Sequence, residues 1–255
     1  MKKYSSFVGL VMAISLVLPT AAGAAAPIVV TPVDQQGWST ADTRVGGAVN
    51  FVADATAPSG VGALQLTTDA TNAAKAQYMH ETSTPIANVT ELSYYTKQNS
   101  ASFSGGDASY QVAVMLNGTS GFTTLVFEPY ENGTVTAGWQ SWDVDAGQFW
   151  SSRTVTCSNG GVIAGAGGAP FYTLSQIATM CPQAVVIGFG VNIGTYNPSY
   201  DVETDLVSFN GTAYDFEPAI SPTTKDSCKN GGWQTFNAPT FKNQGQCVSY
   251  VNHMN

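Results

Sequence analysis

This chain of 255 residues contains three alternating carboxylates whose spacing could support a chemical function such as cation binding. Asp201, Glu203 and Asp205 are two residues apart, so on a β-strand their side chains project from one face. Neighbouring carboxylates repel each other, which leaves two interpretations. Either water solvates the face, or a cation neutralises it, and oxygen ligands of this kind suit Ca²⁺. A structural calcium ion is the one cofactor that the sequence suggests, and Asp107 is a second candidate ligand.

A cluster of tryptophans beside a carboxylate is the second chemical feature. Trp139, Trp142 and Trp150 lie in one short segment, and Asp143 follows the second of them. Flat rings stack on the apolar face of a sugar, and a carboxylate accepts hydrogen bonds from its hydroxyls. Residues three apart on a strand face opposite ways, so at most one of Trp139 and Trp142 is exposed. Large aromatic residues also fill cores, so a core role and a ligand-binding role both stay open.

Loop tyrosines extend this set of sugar-binding candidates. Tyr196 stands beside an Asn-Pro pair that predicts a loop, and binding residues concentrate on loops. Further candidates are Tyr94, Tyr95, Tyr130 and Tyr200. The predicted ligand-binding set is Trp139, Trp142, Trp150, Asp143 and Tyr196.

Catalytic machinery is hard to find in the sequence. There is no Gly-x-Ser-x-Gly motif, and the two histidines, His80 and His253, have no evident nucleophile beside them. A glycosidase needs only two carboxyl groups. Glu128 ends an apolar segment before a proline, and burial there would raise its pKa toward that of a general acid. Asp143 or Asp145 could be its partner, but an exposed Glu128 at a strand end is the other interpretation. No catalytic residue is therefore assigned.

Period-two alternation predicts the elements that position these side chains. One predicted strand places four apolar residues on one face: Tyr110, Val112, Val114 and Leu116. Another places five apolar residues on one face: Val185, Ile187, Phe189, Val191 and Ile193. Other short strands are expected at 64–67, 91–97, 122–127, 138–144, 202–209 and 212–216. Asn-Gly pairs at 117–118, 132–133 and 210–211 are candidate hairpin turns. Many short strands with such turns predict an all-β fold, an antiparallel jelly-roll sandwich.

One short helix is expected within this sandwich. Thr173 can cap it, Gln176 completes a capping box, and an apolar stripe runs to Cys181. The even number of cysteines predicts disulfides, Cys157–Cys181 and Cys228–Cys247, because each pair is local and a Pro-rich segment separates the two. Zinc is the competing interpretation, but the sequence has no Cys-x-x-Cys motif and few histidines.

Composition divides the chain into four segments. Residues 1–24 carry two lysines, a short apolar run and small residues, the pattern of a secretory signal peptide of bacterial type. The apolar run is shorter than the roughly 20 residues that a membrane anchor requires. Residues 25–217 form the predicted sandwich, 218–225 an extended Pro-rich linker, and 226–255 a small tail stapled by a disulfide.

Two resemblances rest on particular segments. The tail, with Asp226-Ser-Cys-Lys-Asn-Gly-Gly-Trp233 and Gln246-Cys247-Val-Ser-Tyr250, resembles a short C-terminal element found on assorted secreted bacterial proteins. That element has no assigned activity. The segment Tyr200-Asp-Val-Glu-Thr-Asp205-Leu-Val-Ser-Phe209 is similar to the closing strand of jelly-roll domains of the carbohydrate-binding-module type. This resemblance implies a two-sheet fold, often a structural calcium, and frequently glycan binding.

Charge narrows the class of partner. Without the two lysines of the predicted signal peptide, 7 basic residues face 17 acidic ones, a net charge of −10. Such a surface repels phosphate backbones, so nucleic acid is excluded as a partner. We therefore expect a secreted, non-catalytic protein, extracellular or at the cell surface, that binds a polysaccharide or cell-surface glycan. A carbohydrate-active hydrolase using Glu128 and an aspartate, and a structural surface protein, are the alternatives.

Overall fold

The computed structural model describes residues 25–165 and 167–254, so the predicted signal peptide lies outside the described residues. The strands are β1 Ile28–Val30, β2 Trp38–Ser39, β3 Gly47–Ala53, β4 Gly62–Thr68, β5 Ala76–Pro85, β6 Leu92–Ser100, β7 Ser109–Met115, β8 Phe122–Phe127, β9 Gln140–Asp143, β10 Trp150–Ser151, β11 Val155–Thr156, β12 Val162–Ile163, β13 Val185–Ile193, β14 Asp201–Phe209 and β15 Thr212–Phe216. The α-helices are α1 Pro129–Asn132, α2 Leu174–Met180 and α3 Gln244–His253, and 3₁₀ turns span Ile86–Asn88, Asp226–Cys228 and Gly232–Gln234.

Two large sheets form the sandwich and confirm the predicted fold class. The six-stranded sheet has the order β10-β8-β7-β13-β5-β2. In the seven-stranded sheet, β14 has β6 on one side and β4 and β15 in succession on the other, and β9, β3 and β1 lie outside these. Pairing is antiparallel in both sheets except that β1 runs parallel to β15, with Ile28 beside Tyr214 and Val30 beside Phe216.

The core lies between the inner faces of the two sheets. The predicted stripe of β7 is buried there: Tyr110, Val112, Val114 and Leu116 have no exposed surface. Tyr110 also donates its hydroxyl hydrogen to the Ser208 carbonyl oxygen, 2.8 Å away on the opposite sheet. The hydroxyl therefore keeps a hydrogen bond that burial would otherwise cost the protein.

A β-bulge changes the predicted face of β13. The pairing of β13 with both neighbours shifts register between Val186 and Gly188. Phe189, Val191 and Ile193 are buried as predicted, but before the bulge Val186 is the residue in the core. Val185 and Ile187 are only half-buried, so the prediction that they share the inner face is wrong. An extra residue in one strand reverses the alternation that follows it.

The Asn-Gly pairs take two different structural roles. Asn210 and Gly211 both have positive φ, 49° and 77°, and join β14 to β15 in a tight hairpin as predicted. The pair at 117–118 lies in the loop between β7 and β8, with Gly118 at φ 77°. The pair at 132–133 is not a hairpin turn, since Asn132 is the last residue of α1.

Both predicted disulfides and the predicted capping box are present. Cys157 bonds Cys181, which ends α2, and Cys228 bonds Cys247. The Thr173 hydroxyl accepts a hydrogen bond from the Gln176 backbone N–H at 3.2 Å, and the Gln176 side chain accepts one from the Thr173 N–H at 2.8 Å.

The tail builds a small cluster around its own disulfide. Val251 of α3 is buried with the two tail cysteines, and five partly buried side chains pack on them: Trp233, Phe236, Phe241, Val248 and Tyr250. Two hydrogen bonds involving Asn237 fasten the preceding Pro-rich segment, one to the Pro218 carbonyl oxygen and one from the Ile220 N–H. In the part of the chain that the structure describes, no helix is long and apolar enough to cross a membrane.

Candidate functional site

The side chains on the outer face of the six-stranded sheet form rows that run across the strands. Side chains alternate along β7, so Gln111 and Ala113 point outward because Val112 and Val114 point into the core. The pairing register then aligns the row Trp150, Val126, Gln111, Gly190 and Met79, and beside it the row Ser109, Asn192 and Gln77. Glycine is required at 190, because a Cβ there would lie 2.2 Å from the Tyr78 carbonyl oxygen. This face therefore has a low floor.

Two cavities follow this face and join into one groove. The deep cavity has a volume of about 680 Å³ and lies where β8 and β13 end and β7 begins. The shallow cavity, of about 530 Å³, continues over Gln111, Ala113, Thr124 and Val126. Glu128, Trp150 and Asn192 line both cavities. We call this continuous depression the groove.

Exposed aromatic rings surround the deep cavity. Phe103, Tyr130 and Tyr196 are 51%, 43% and 79% exposed, and all three line it. Within residues 25–165 and 167–254 no other Phe, Tyr or Trp side chain is exposed. The Phe103 and Tyr130 rings meet edge to face, with centroids 5.4 Å apart. Trp150 is half-buried and adds a fourth ring to the wall.

Glu128 places a neutral carboxyl group between the two cavities. It follows β8 in extended conformation, and Pro129 then begins α1. Burial raises its pKa from the ordinary 4.5 to about 8; the negative charges of Glu131 and Asp107 act in the same direction, and a hydrogen bond from Trp150 opposes them. At neutral pH the group is therefore protonated, and it can donate a hydrogen bond to a ligand as well as accept one.

Asp107 is the carboxyl group that shares the deep cavity with Glu128. It is only 6% exposed, and it accepts hydrogen bonds from the Thr96 hydroxyl at 2.6 Å and from the Ala108 N–H at 2.8 Å. Burial raises its pKa to about 6 despite these bonds. The proposed partners Asp143 and Asp145 lie elsewhere, since neither lines the groove. Asp145 instead accepts the Leu92 N–H at 2.8 Å.

The structure separates the five predicted ligand-binding residues. Trp150 and Tyr196 line the groove together. Trp142 is in the core, where its indole N–H donates to the Thr96 hydroxyl at 2.9 Å, so it offers no exposed platform. Trp139 lies by the seven-stranded sheet and donates to Asp54 at 3.1 Å. Asp143 is exposed on β9, away from the groove.

Sequence reasoning missed Phe103 and Asn192 altogether. Phe103 stands in a segment rich in serine and glycine, where a lone aromatic residue has no strand to pack in. Asn192 is the one polar residue of the otherwise apolar β13, and its amide donates to the Ala76 carbonyl oxygen at 3.2 Å. Each residue departs from its local sequence pattern, and such a departure in a loop or near a strand end could have indicated a binding site.

The carboxylates proposed for calcium already have protein partners. Lys97 lies 3.1 Å from Glu203 and 2.6 Å from Asp54, and Asn99 donates to both Glu203 and Asp201. Glu203 is buried, so the face is not solvated as one interpretation expected. A lysine at this position repels a second cation, and this arrangement does not fit a Ca²⁺ site. The described residues contain no group of three or more His, Cys, Asp or Glu side chains arranged to hold a metal ion. Calcium binding stays a prediction.

Asp205 belongs to a second, separate carboxyl cluster. It is fully buried and accepts the Phe216 N–H at 3.1 Å and the Ser59 N–H at 3.2 Å. Asp215 accepts the Ser59 hydroxyl, and Glu217 accepts the Val61 N–H at 2.8 Å. Burial raises the pKa of Asp205 to about 7 and also raises those of Asp215 and Glu217. This cluster fixes the loop before β4 on the seven-stranded sheet.

Comparisons with known proteins concern the fold. The structure is similar to a family 11 carbohydrate-binding module from Clostridium thermocellum, solved with a β-1,3-1,4-mixed-linked tetrasaccharide; the TM-score is 0.41, the identity 11%, and the match covers 69% of this chain and 89% of the module. It is also similar to an arabinose-bound α-L-arabinofuranosidase, with a TM-score of 0.37 and 10% identity over 70% of this chain. That match covers 23% of the enzyme chain. No family model matches the sequence, and no curated protein matches it.

Proposed function

We propose that this protein is a secreted, non-catalytic binding protein for a polysaccharide or cell-surface glycan, and that the groove is its binding site. The observation that carries the proposal is the placement of the exposed rings. Phe103 and Tyr196 come from two separate loops and Tyr130 from the short helix α1, yet all three line one cavity. Solvated apolar rings gathered at one place mark an interaction site, since folding alone gives no reason to gather them there.

The polar groups of the groove suit a ligand rich in hydroxyls. The neutral Glu128 carboxyl can donate and accept hydrogen bonds, and Gln111 adds an amide to the floor. The low floor leaves room for a chain that lies across the strands. Two disulfides fit an oxidising compartment outside the cytoplasm.

Removal of single rings tests this proposal. We expect Tyr196→Ala and Trp150→Ala each to weaken glycan binding about 30-fold, the effect of about 2 kcal/mol that loss of a buried anchor ring produces. Trp139→Ala is the matched control, because it removes the same kind of ring outside the groove. Binding of residues 25–255 is measured by affinity electrophoresis in gels containing different polysaccharides. Equal retardation of all three variants would contradict the proposed site.

The protonated state of Glu128 favours one second candidate, a glycoside hydrolase with Glu128 as general acid. A raised pKa in a cavity is a property of such acids, and Asp107 is the second carboxyl group nearby. Both carboxylate oxygens of Asp107 accept hydrogen bonds from the protein, from the Thr96 hydroxyl and the Ala108 N–H. These bonds indicate a structural role and argue against Asp107 as the nucleophile of a hydrolase. Turnover of the wild type and of Glu128→Gln distinguishes the two functions. A hydrolase would lose turnover in Glu128→Gln and keep binding. A binding protein shows no turnover in the wild type or in the variant.

A further inference from the structure

Positive charge in the acidic sandwich is concentrated along the groove. Charged residues make up only 10% of the chain, and residues 25–217 contain four basic side chains. Three of them, Arg44, Lys75 and Arg153, line the shallow cavity. The fourth, Lys97, lies at the other sheet in its ion pairs with Asp54 and Glu203.

The two ends of the shallow cavity each present a cation. Arg44 and Lys75 stand at the β5 side, where both pair with Asp42. Arg153 follows β10 at the opposite side, with its guanidinium carbon 5.2 Å from the centroid of the Phe122 ring. β10 and β5 are four strand spacings apart, which places the two ends about 19 Å from each other. A ligand that meets both ends is therefore several sugar units long.

The positive charges of the shallow cavity are only partly balanced by acidic side chains. Among the described residues no acidic side chain forms an ion pair with Arg153, so its guanidinium N–H groups stay available. Asp42 is the only ionised carboxylate of the shallow cavity, because Glu128 is protonated at neutral pH. The cavity thus presents three cations against one anion, in a sandwich whose remaining charged residues are mostly acidic.

We infer that the ligand of the groove is an anionic polysaccharide, whose carboxylate or sulfate groups meet Arg153 at one end and Lys75 and Arg44 at the other. This inference rests on the proposed function and names its ligand class. The planar guanidinium of Arg153, stacked on Phe122, pairs with carboxylate and sulfate oxygens through two parallel hydrogen bonds. The other surfaces of residues 25–217 are acidic and repel such polymers, so within the sandwich the groove is the favoured place for binding.

A matched pair of polymers tests the charge requirement. Residues 25–255 are titrated with polygalacturonate and with its methyl ester, which keeps the backbone and removes the charge, and with dextran sulfate and neutral dextran. The variants are Arg153→Gln, Arg153→Lys and, as control, Lys225→Gln, which removes an exposed positive charge from the tail. We expect Arg153→Gln to weaken binding of the acidic polymer about 10-fold, Arg153→Lys to weaken it less, and Lys225→Gln to leave it unchanged. Affinity for the acidic polymer should fall as salt concentration rises.

The outcomes separate the inference from the proposed function. Preference for polygalacturonate or dextran sulfate over the neutral partner, lost in Arg153→Gln, supports the inference and identifies the anionic group. Equal binding of the charged and neutral polymers, or equal effects of Arg153→Gln and Lys225→Gln, overturns the inference and leaves glycan binding in the groove intact. Absence of binding to all four polymers overturns the proposed function itself.

Discussion

The raised pKa of Glu128 leads to a quantitative prediction of how the free energy of unfolding depends on pH. Its pKa is 4.5 in an ordinary peptide and about 8 in the folded protein, because the carboxyl group is buried beside Glu131 and Asp107. One pKa unit corresponds to about 1.4 kcal/mol, so ionising Glu128 in the folded state costs about 5 kcal/mol relative to the unfolded chain. Between pH 4.5 and 8 the folded state binds more protons than the unfolded state.

The sign of the effect follows from this difference in bound protons. Stability contributed by Glu128 is fully present below about pH 4.5, falls as pH rises toward 8, and is constant above that value. Glu128→Gln keeps a neutral side chain of the same shape at every pH. We therefore expect the variant to lose this part of the slope and to exceed the wild type in stability at pH 9 by up to about 5 kcal/mol.

Urea denaturation at pH 5, 7 and 9 measures this difference. The control is Glu91→Gln, which makes the same chemical change at an exposed position. We expect the free energy of unfolding of the wild type and the control to fall in parallel, and that of Glu128→Gln to fall less steeply. If Glu128→Gln and the control follow the wild type with one slope, the carboxyl group is ionised in the folded protein and the reasoning is refuted.

Three further measurements test other parts of the structure. Thr173→Ala removes the capping box of α2 and should destabilise the protein by about 1 kcal/mol in urea titrations, whereas Thr179→Ala, on the exposed side of the same helix, should cost less. Asp205→Asn should flatten the fall in stability between pH 4 and 7, because its pKa is raised from 3.8 to about 7, and an unchanged slope would contradict that assignment. Calcium is tested by thermal melting with Ca²⁺ and with EDTA: a bound ion raises the melting temperature, and equal values contradict the sequence prediction.

Local patterns predicted much of the fold because each depends on neighbours in sequence. The stripe of β7, the hairpin at Asn210-Gly211 and the capping box at Thr173 need only short-range spacing. Both disulfides were predictable because each closes a short segment, 24 and 19 residues in separation. The bulge in β13 was not, since the register shift depends on how two neighbouring strands pair with it.

The candidate site was less predictable because it is assembled from distant segments. Phe103, Glu128 and Tyr196 meet at one cavity only after β7, β8 and β13 have paired. Trp139 and Trp142 looked equivalent to Trp150 as ring types, but Trp142 and its neighbour Trp139 lie at β9 of the seven-stranded sheet, whereas Trp150 lies on β10 of the six-stranded sheet that carries the groove. The apolar strand before Glu128 left both a buried and an exposed carboxyl group possible, and Asp107, which shares its cavity, lies just before β7 and distant in sequence.

The parallel contact between β1 and β15 also decides how the sandwich responds to force. Ile28 lies beside Tyr214 and Val30 beside Phe216, so the first strand and the last strand run side by side in the same direction. A pull that draws residue 25 away from the tail moves these strands lengthwise in opposite senses. Their hydrogen bonds are then loaded together in shear and do not open one after another.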